Sequence, residues 1–234
     1  MQIGGLQKLT LIDYPGKIAA TVFCIGCNFR CPWCYSRELV LPEEITPTPK
    51  FGVGAEKDFF NFLKGRKELL EGVVLCGGEP TIHKDLPEFC KKIKKMGFLV
   101  KLDTNGSNPE ALKNLIKENL IDYVAMDIKA PKEKYNGAAG IKIDTGKIQE
   151  SIDILKNGKI DFEFRSTILP QIHTKEDVMS IAKWIKDAKV YYLQQFRPEK
   201  TIDPAYEKCK PFSQEELESI QRVCNIYVFT KLRI

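Results

Sequence analysis

The sequence predicts an α/β fold, an open or partial (β/α)6 barrel with parallel strands. Short runs rich in β-branched and aromatic residues alternate with segments of helical periodicity along the chain. This alternation favours parallel strands that are joined by right-handed crossovers. The strand–helix units number six, which is too few for a closed eight-stranded barrel.

The individual elements follow from local composition. The predicted strands are Ile18–Phe23, Val73–Cys76, Phe98–Asp103, Tyr123–Ile128, Asp161–Ile168 and Tyr191–Phe196. Apolar residues with the spacing i, i+3, i+4, i+7 predict helices between them, around residues 86–93, 112–116, 148–155 and 178–185. A helix from Gln214 to Cys224 and a last strand, Ile226–Phe229, are expected near the end of the sequence.

Two stretches rich in proline or glycine predict loops, and they run from Leu41 to Ala55 and from Pro131 to Lys147. The sequence contains no internal repeat and no segment with the composition of an interdomain linker. We therefore expect a single domain over residues 1–234. Its core would cover about residues 15–200, and a C-terminal helix and strand would lie within 211–234.

Composition narrows the classes of protein. The 234 residues are 43% hydrophobic and 29% charged, which is ordinary for a globular protein. The net charge of +5 is small and the basic residues are scattered, so no nucleic-acid partner is predicted. No apolar run is long enough to span a membrane, and no signal peptide is recognisable, so we expect a cytoplasmic protein without a membrane partner. Eight cysteines in such a chain favour metal ligation over disulfides.

The most informative motif is the cysteine triplet Cys27, Cys31 and Cys34, with three and then two intervening residues. Three thiolates leave one iron of a cubane cluster without a protein ligand, where a small molecule could bind. A zinc site is the alternative, but such sites usually offer four protein ligands. The only two histidines, His83 and His173, do not stand at zinc-finger spacing, and we expect both in surface loops.

Further polar or glycine-rich motifs stand where predicted strands end. They are Gly77-Gly78-Glu79-Pro80, Thr104-Asn105-Gly106, Asp127 with Lys129, and Arg197. Ligands of parallel α/β folds bind beyond the carboxyl ends of the strands. The sequence therefore predicts one composite site. Arg165 is a further candidate, because a charged residue inside a buried strand needs a carboxylate partner.

The triplet segment Gly26-Cys27-Asn28-Phe29-Arg30-Cys31-Pro32-Trp33-Cys34 resembles the signature of the radical S-adenosylmethionine (SAM) enzymes. With Thr10-Leu11-Ile12-Asp13-Tyr14-Pro15-Gly16 and Met126-Asp127-Ile128-Lys129, the chain is similar to the glycyl-radical-enzyme activating enzymes. It most resembles the activating proteins of anaerobic ribonucleoside-triphosphate reductase. The resemblance implies a barrel of the radical SAM type. It also implies one 4Fe–4S cluster held by Cys27, Cys31 and Cys34, with SAM bound at the open iron.

The resemblance also implies roles for other residues. The cofactor would contact Trp33, Tyr35, Gly77, Gly78, Glu79, Asp127, Lys129 and Arg197, although the family has a histidine near the position of Arg197. Asp103 and Thr104 would build a monovalent-cation site with Asp127. Asp13 would lie close to a substrate peptide, and Arg165 is placed with these cation or substrate-peptide candidates.

The implied activity is that of a radical SAM oxidoreductase. The reduced cluster would cleave SAM to methionine and a 5′-deoxyadenosyl radical, which would abstract hydrogen from a backbone glycine of an anaerobic ribonucleotide reductase. A one-electron donor such as flavodoxin or ferredoxin is expected, in an oxygen-sensitive protein. No cysteine lies between Tyr35 and Leu75, which favours the single-cluster type of activase. The alternatives are a radical SAM enzyme for a small molecule, such as a deazapurine precursor, and a non-catalytic electron-transfer protein.

Overall fold

The computed structural model describes residues 1–41 and 56–234. Its strands are β1 (Ile3–Thr10), β2 (Ala19–Cys24), β3 (Gly72–Gly77), β4 (Leu99–Thr104), β5 (Tyr123–Asp127), β6 (Asp161–Ile168), β7 (Tyr191–Gln195) and β8 (Thr230–Arg233). Its helices are α1 (Arg37–Val40), α2 (Glu56–Lys64), α3 (Leu86–Lys95), α4 (Pro109–Lys117), α5 (Tyr135–Ala139), α6 (Thr145–Asn157), α7 (Lys175–Trp184) and α8 (Gln214–Cys224). No helix of the described ranges is long and apolar enough to cross a membrane.

Two predicted elements need correction, three observed elements (β1, α1 and α2) were not predicted, and one predicted loop cannot be compared. β1 was not predicted, and the last strand is Thr230–Arg233 instead of Ile226–Phe229, because α8 ends in turns in which Cys224 O accepts from the amides of residues 227 and 228. The stretch from Pro131 to Lys147 is not simply a loop. It contains a 3-10 turn, α5 and the start of α6. Of the other predicted loop, only Leu41 lies in the described residues.

The chain divides into two compact units. The first comprises residues 1–28, 36–104 and 110–124. Within it, β1 pairs antiparallel with β2, whereas β2, β3 and β4 are parallel neighbours. The apolar stripe of α3 is buried as its periodicity predicts, at Leu86, Phe89, Cys90 and Ile93. The carboxyl ends of β2, β3 and β4 carry the cysteine and glycine motifs of this unit.

The second unit comprises residues 29–35, 105–109 and 125–234. Here β6, β7 and β8 are parallel neighbours, with Phe164 opposite Tyr191 and Tyr191 opposite Thr230. The cysteine of α8, Cys224, donates to the Val178 carbonyl of α7. The mostly parallel α/β class is as predicted. The single-domain prediction is not tested by this division and stays a prediction.

Candidate functional site

The predicted site residues are distributed over both units. The first unit contains Asp13, Cys27, Gly77, Gly78, Glu79, Asp103 and Thr104. The second contains Cys31, Trp33, Cys34, Tyr35, Asp127, Lys129, Arg165 and Arg197.

In the first unit, the Gly-Gly-Glu segment is fastened to the backbone that leads to Cys27. The amide of Gly78 donates to Cys24 O at 2.9 Å, and the amide of Glu79 donates to Gly26 O at 2.8 Å. A Cβ atom at Gly78 would lie 1.8 Å from that same Gly26 oxygen. Gly78 is therefore required for the close approach of two backbone segments.

The carboxylate of Glu79 is buried and already hydrogen-bonded. Its Oε1 atom accepts from Thr81 N at 3.0 Å, from Thr81 Oγ1 at 2.5 Å and from Thr104 Oγ1 at 2.8 Å. The predicted cation candidate Thr104 thus fixes Glu79 within this unit. Sequence reasoning missed Thr81, although Glu-x-Thr with an intervening proline is a recognisable start of a short 3-10 helix.

A buried ion pair lies in β4. The side chain of Lys101 is 1% exposed, and its ammonium pairs with Asp103 and lies 6.0 Å from the centroid of the Tyr123 ring. Sequence reasoning missed Lys101, although a lysine inside the apolar run Leu99–Leu102 was the available signal. Asp103 therefore has a cationic partner from its own strand.

The predicted cation site remains a prediction. Among residues 1–41 and 56–234, no group of three or more His, Cys, Asp or Glu side chains is arranged to hold a metal ion. Asp13, the candidate for contact with a substrate peptide, lies half-buried at the bend after β1. Its carboxylate accepts from the hydroxyl of Thr21 at 2.8 Å. The structure does not test the predicted role of Asp13.

In the second unit, the loop that carries Cys31 and Cys34 is held by backbone hydrogen bonds. The amide of Cys34 donates to Cys31 O at 3.0 Å, so both cysteines lie on one turn. The Arg30 amide donates to Ala139 O at 2.8 Å at the end of α5, and the amides of residues 202 and 203 donate to Cys34 O and Pro32 O. The tail after β7 thus helps to position this loop, which the sequence did not indicate.

The aromatic residues of this loop have defined partners. Trp33 is buried, with its ring centroid 6.1 Å from that of His173 and 6.3 Å from that of Tyr206. Tyr35 stacks on Phe196, and its hydroxyl accepts from the Arg197 amide at 3.0 Å. The side chain of Arg197 is at an exposed position, so its backbone is what this contact uses.

Asp127, Lys129 and Arg165 form an ion-pair network. Asp127 accepts from Arg165 Nε at 2.9 Å and from Lys129 Nζ at 3.1 Å, so Arg165 has the carboxylate partner that the sequence predicted. Burial favours a raised pKa for Asp127, but the charges of Arg165 and Lys129 outweigh it and lower that pKa to about 2. Likewise, burial opposes the charged form of Lys129, but Asp127 outweighs it and raises the pKa of Lys129. The network is fully charged at neutral pH.

His173 is not the surface residue that the sequence suggested. It is 1% exposed, and its Nδ1 accepts from the Leu169 amide at 3.3 Å while its Nε2 lies 2.8 Å from Lys129 O. Tyr135 supports the same segment, because its hydroxyl accepts from the Lys129 amide at 3.5 Å. No sequence pattern indicated these two contacts, since they join residues from separate elements.

The comparison with known proteins assigns the family. The sequence profile of the Radical SAM superfamily matches residues 21–190. The chain belongs to the radical SAM superfamily. Enzymes of this superfamily use a 4Fe–4S cluster and SAM, as predicted.

Two relatives of this radical SAM protein have different names. A Methanocaldococcus jannaschii protein provisionally named a glycyl-radical enzyme activating enzyme is 35% identical over 233 residues, which are 97% of this chain and 92% of the relative. A 7-carboxy-7-deazaguanine synthase from Thermoplasma acidophilum is 30% identical over 131 residues, which are 56% of this chain and 55% of the relative.

Solved structures support the fold. Streptococcus suis SuiB with bound SAM aligns with a TM-score of 0.68 at 12% identity, over 90% of this chain and 49% of SuiB. A domain of the pyruvate-formate lyase-activating enzyme from Bacteroides vulgatus aligns with a TM-score of 0.57 at 15% identity, over 70% of this chain and 99% of the domain. These similarities confirm the predicted α/β class of radical SAM type.

The residues of this radical SAM chain fit a cluster with three protein thiolates. All eight cysteines lie in the described residues, and none of them is in a disulfide bond. Burial raises the pKa of Cys31 to about 11, which disfavours the thiolate that a metal ligand must be, and the nearby charge of Lys129 opposes this shift in part. Burial also raises the pKa of Cys24, as well as that of Cys90 to about 12. Those two thiols have the surroundings of core residues.

Proposed function

We propose that this protein is a glycyl-radical enzyme activating enzyme and that its partner is an anaerobic ribonucleotide reductase. The observation that carries this proposal is the Methanocaldococcus jannaschii relative, which is similar over 92% of its own length. The sequence contains no cysteine between Tyr35 and Leu75, which supports the single-cluster type of activating enzyme. A cytoplasmic location and an electron donor of the flavodoxin or ferredoxin class belong to the same proposal.

Three thiolates, from Cys27, Cys31 and Cys34, would hold the cluster in this proposal. When bound, the cluster would supply the electron for the reductive cleavage of SAM, and a glycine of the partner would be the hydrogen donor. The protein positions the loop of Cys31 and Cys34 through backbone hydrogen bonds from α5 and from the tail after β7. Trp33 is buried within that loop and packs against His173 and Tyr206.

The charged network of the second unit would bind the polar part of SAM. Lys129 stays protonated because Asp127 raises its pKa, so its ammonium can donate to a carboxylate. Asp127 stays ionised, since its pKa of about 2 lies far below neutral pH, and a carboxylate accepts from hydroxyl groups. Arg165 keeps Asp127 oriented through its 2.9 Å contact. In the first unit, the backbone of Gly78 and Glu79 would bind the amino group of SAM.

The first experiment is anaerobic reconstitution with iron and sulfide, reduction with dithionite, and chromatographic detection of 5′-deoxyadenosine from added SAM. We expect product from the wild-type protein and none from a Cys31→Ala variant. The Cys209→Ala variant is the matched control, because Cys209 lies outside the triplet on the tail and its thiol donates to Ala205 O. A fully loaded protein without product would contradict the proposal and support the electron-transfer alternative.

A second experiment tests the partner. The reconstituted protein is incubated with an anaerobic ribonucleotide reductase from the same organism, and the glycyl-radical doublet is measured by electron paramagnetic resonance. The similarity to a 7-carboxy-7-deazaguanine synthase favours a second candidate function, a radical reaction on a small purine-like molecule. That candidate predicts 5′-deoxyadenosine formation that a small molecule stimulates and the reductase does not.

A further inference from the structure

One face of strands β6, β7 and β8 is polar. Glu163, Arg165 and Thr167 alternate along β6, and Arg165 and Thr167 lie opposite Tyr192 and Gln194 of β7. Gln194 lies opposite Arg233 of β8. The other face is formed by buried residues such as Phe164, Ser166, Tyr191, Leu193 and Thr230. Parallel strands are normally apolar on both faces, so the polar face needs an explanation.

A rigid guanidinium group lies on this face. Nη1 of Arg233 donates to Glu163 Oε1 at 2.8 Å, and Nη2 donates to Glu163 Oε2 at 3.0 Å. The carboxylate of Glu163 is 0% exposed, whereas the side chain of Arg233 is 30% exposed. The guanidinium carbon also lies 3.6 Å from the centroid of the Tyr192 ring. The ion pair and the ring contact hold the guanidinium group in place. Together they use only two of its five N–H groups.

Three neutral neighbours of this group have unused hydrogen-bonding capacity. Thr167, Tyr192 and Gln194 are all partly exposed, and their side chains form no hydrogen bond with any residue of the described ranges. The charges of Arg233 and Glu163 are paired with each other. Lys231 lies opposite Tyr192 and is also charged, but its ammonium lies 5.3 Å from the centroid of the Phe229 ring. Around Thr167 and Gln194 the face therefore offers neutral donors and acceptors. Such a surface suits a neutral polar ligand better than an anion.

We propose that Tyr192, Gln194 and Arg233 bind the main chain of the partner segment that carries the target glycine. The main chain of an extended peptide offers neutral N–H and C=O groups, and the carboxamide of Gln194 can pair with both. The guanidinium of Arg233 can donate to a carbonyl oxygen. Because glycine has no side chain, the target residue itself can be recognised only through its backbone N–H and C=O groups. This inference rests on the function proposed above and adds the residues that recognise its substrate.

The test uses synthetic 12-residue peptides with a central α,α-dideuterated glycine and varied flanking residues. The reconstituted protein is reduced in the presence of SAM and the peptides, and the deuterium content of 5′-deoxyadenosine is measured by mass spectrometry. Binding of the same peptides to the protein without its cluster is measured by calorimetry. We expect Gln194→Ala to raise the half-saturating peptide concentration about 3- to 10-fold, the effect of losing one hydrogen bond.

The controls separate recognition from folding. Gln195→Ala removes the same type of side chain from the opposite face of β7, where Gln195 donates to Phe212 O, and should not change peptide binding. Arg233→Gln alone would remove both hydrogen bonds that Arg233 donates to the buried carboxylate of Glu163, so it is combined with Glu163→Gln. That double variant should also lose peptide affinity. Equal peptide affinity in the wild-type protein, Gln194→Ala and the double variant would overturn the inference.

The outcomes also distinguish this inference from the proposed function. Deuterium transfer in the wild-type protein that is unchanged in the Gln194 and Arg233 variants would contradict the recognition surface alone. Formation of 5′-deoxyadenosine without deuterium from any peptide, together with no peptide binding, would contradict both. A fall in melting temperature without any change in peptide affinity would assign the Glu163–Arg233 pair to the stability of β8.

Discussion

The Nε2 atom of His173 lies 2.8 Å from the carbonyl oxygen of Lys129. Since the Leu169 amide donates to Nδ1, this hydrogen-bond network assigns the proton to Nε2, which donates to the carbonyl. The ring of His173 is also nearly perpendicular to that of Trp33, at 79°. One neutral histidine therefore contacts both the cysteine loop and the segment that carries Lys129.

Replacing His173 should weaken the binding of SAM. His173→Ala leaves the Lys129 carbonyl and the Leu169 amide without their partner, which costs about 1–3 kcal/mol for each buried group. We expect a lower melting temperature and a Kd for SAM about tenfold higher by calorimetry. His173→Gln should recover part of both, because glutamine also has a donor and an acceptor.

His83 provides the matched control for this experiment. Its Nε2 atom is buried without a hydrogen-bond partner in the described parts of the chain, and His83→Ala should leave the SAM affinity unchanged. If His173→Ala and His173→Gln lowered the melting temperature equally and neither changed the Kd, His173 would only fill space.

The same histidine predicts a pH dependence of stability. Burial lowers the pKa of His173 below its ordinary value of 6.5. The folded protein then binds fewer protons than the unfolded chain, so stability is fully present above pH 6.5 and declines as the pH falls towards the lower folded pKa. The difference in free energy of unfolding between wild type and His173→Gln should shrink over this window by up to about 1.4 kcal/mol per pH unit. Urea titrations between pH 8 and pH 5 measure it, and a difference that is constant over that range would contradict the prediction.

Gly137 within α5 and Gly140 directly after it predict opposite effects of a substitution by alanine. Gly140 has φ of +68° at the end of the helix, and a Cβ atom there would lie 2.0 Å from Arg30 O. Gly140→Ala should displace the cysteine loop and lower both the melting temperature and the iron bound after reconstitution. Gly137 has no atom within 4 Å of its would-be Cβ, so Gly137→Ala should stabilise the protein by up to about 1 kcal/mol. Full iron loading in Gly140→Ala would show that the loop tolerates the shift.

The fold was largely predictable because its strands and helices have strong local patterns. The buried stripe of α3 and the strand Asp161–Ile168 appear as the periodicity predicts. β1 was missed because Gly4 and Gly5 weaken its local strand pattern, and pairing with β2 stabilises it instead. The last strand was misplaced for a related reason, since its register is set by pairing with β7.

Residues of the candidate site were predictable only where they belong to a sequence motif. The three cysteines and the Gly-Gly-Glu segment stand out by spacing, and Arg165 stands out as a charge in a strand. The burial of His173 and Lys101 depends on residues distant in sequence or on the packing around a strand. The partner of Arg233, Glu163, is 70 residues away, so no local pattern could identify the pair.

The buried pair of Lys101 and Asp103 predicts a strong coupling between two substitutions. Lys101→Met would break this ion pair in a nearly closed environment, and removing one partner of a buried pair typically costs about 3–5 kcal/mol. Combining it with Asp103→Asn removes the carboxylate charge as well, so the double variant should be more stable than Lys101→Met alone. The free energies of unfolding of the wild type, both single variants and the double variant, from urea titrations, give the coupling directly.

Lys189→Met is the matched control. Lys189 pairs with Asp161 at 2.9 Å on the surface, where both side chains are mostly exposed, so loss of this pair should change stability little. Additive effects of the Lys101 and Asp103 substitutions would mean that Asp103 is stabilised by other groups of the first unit and does not depend on the ammonium.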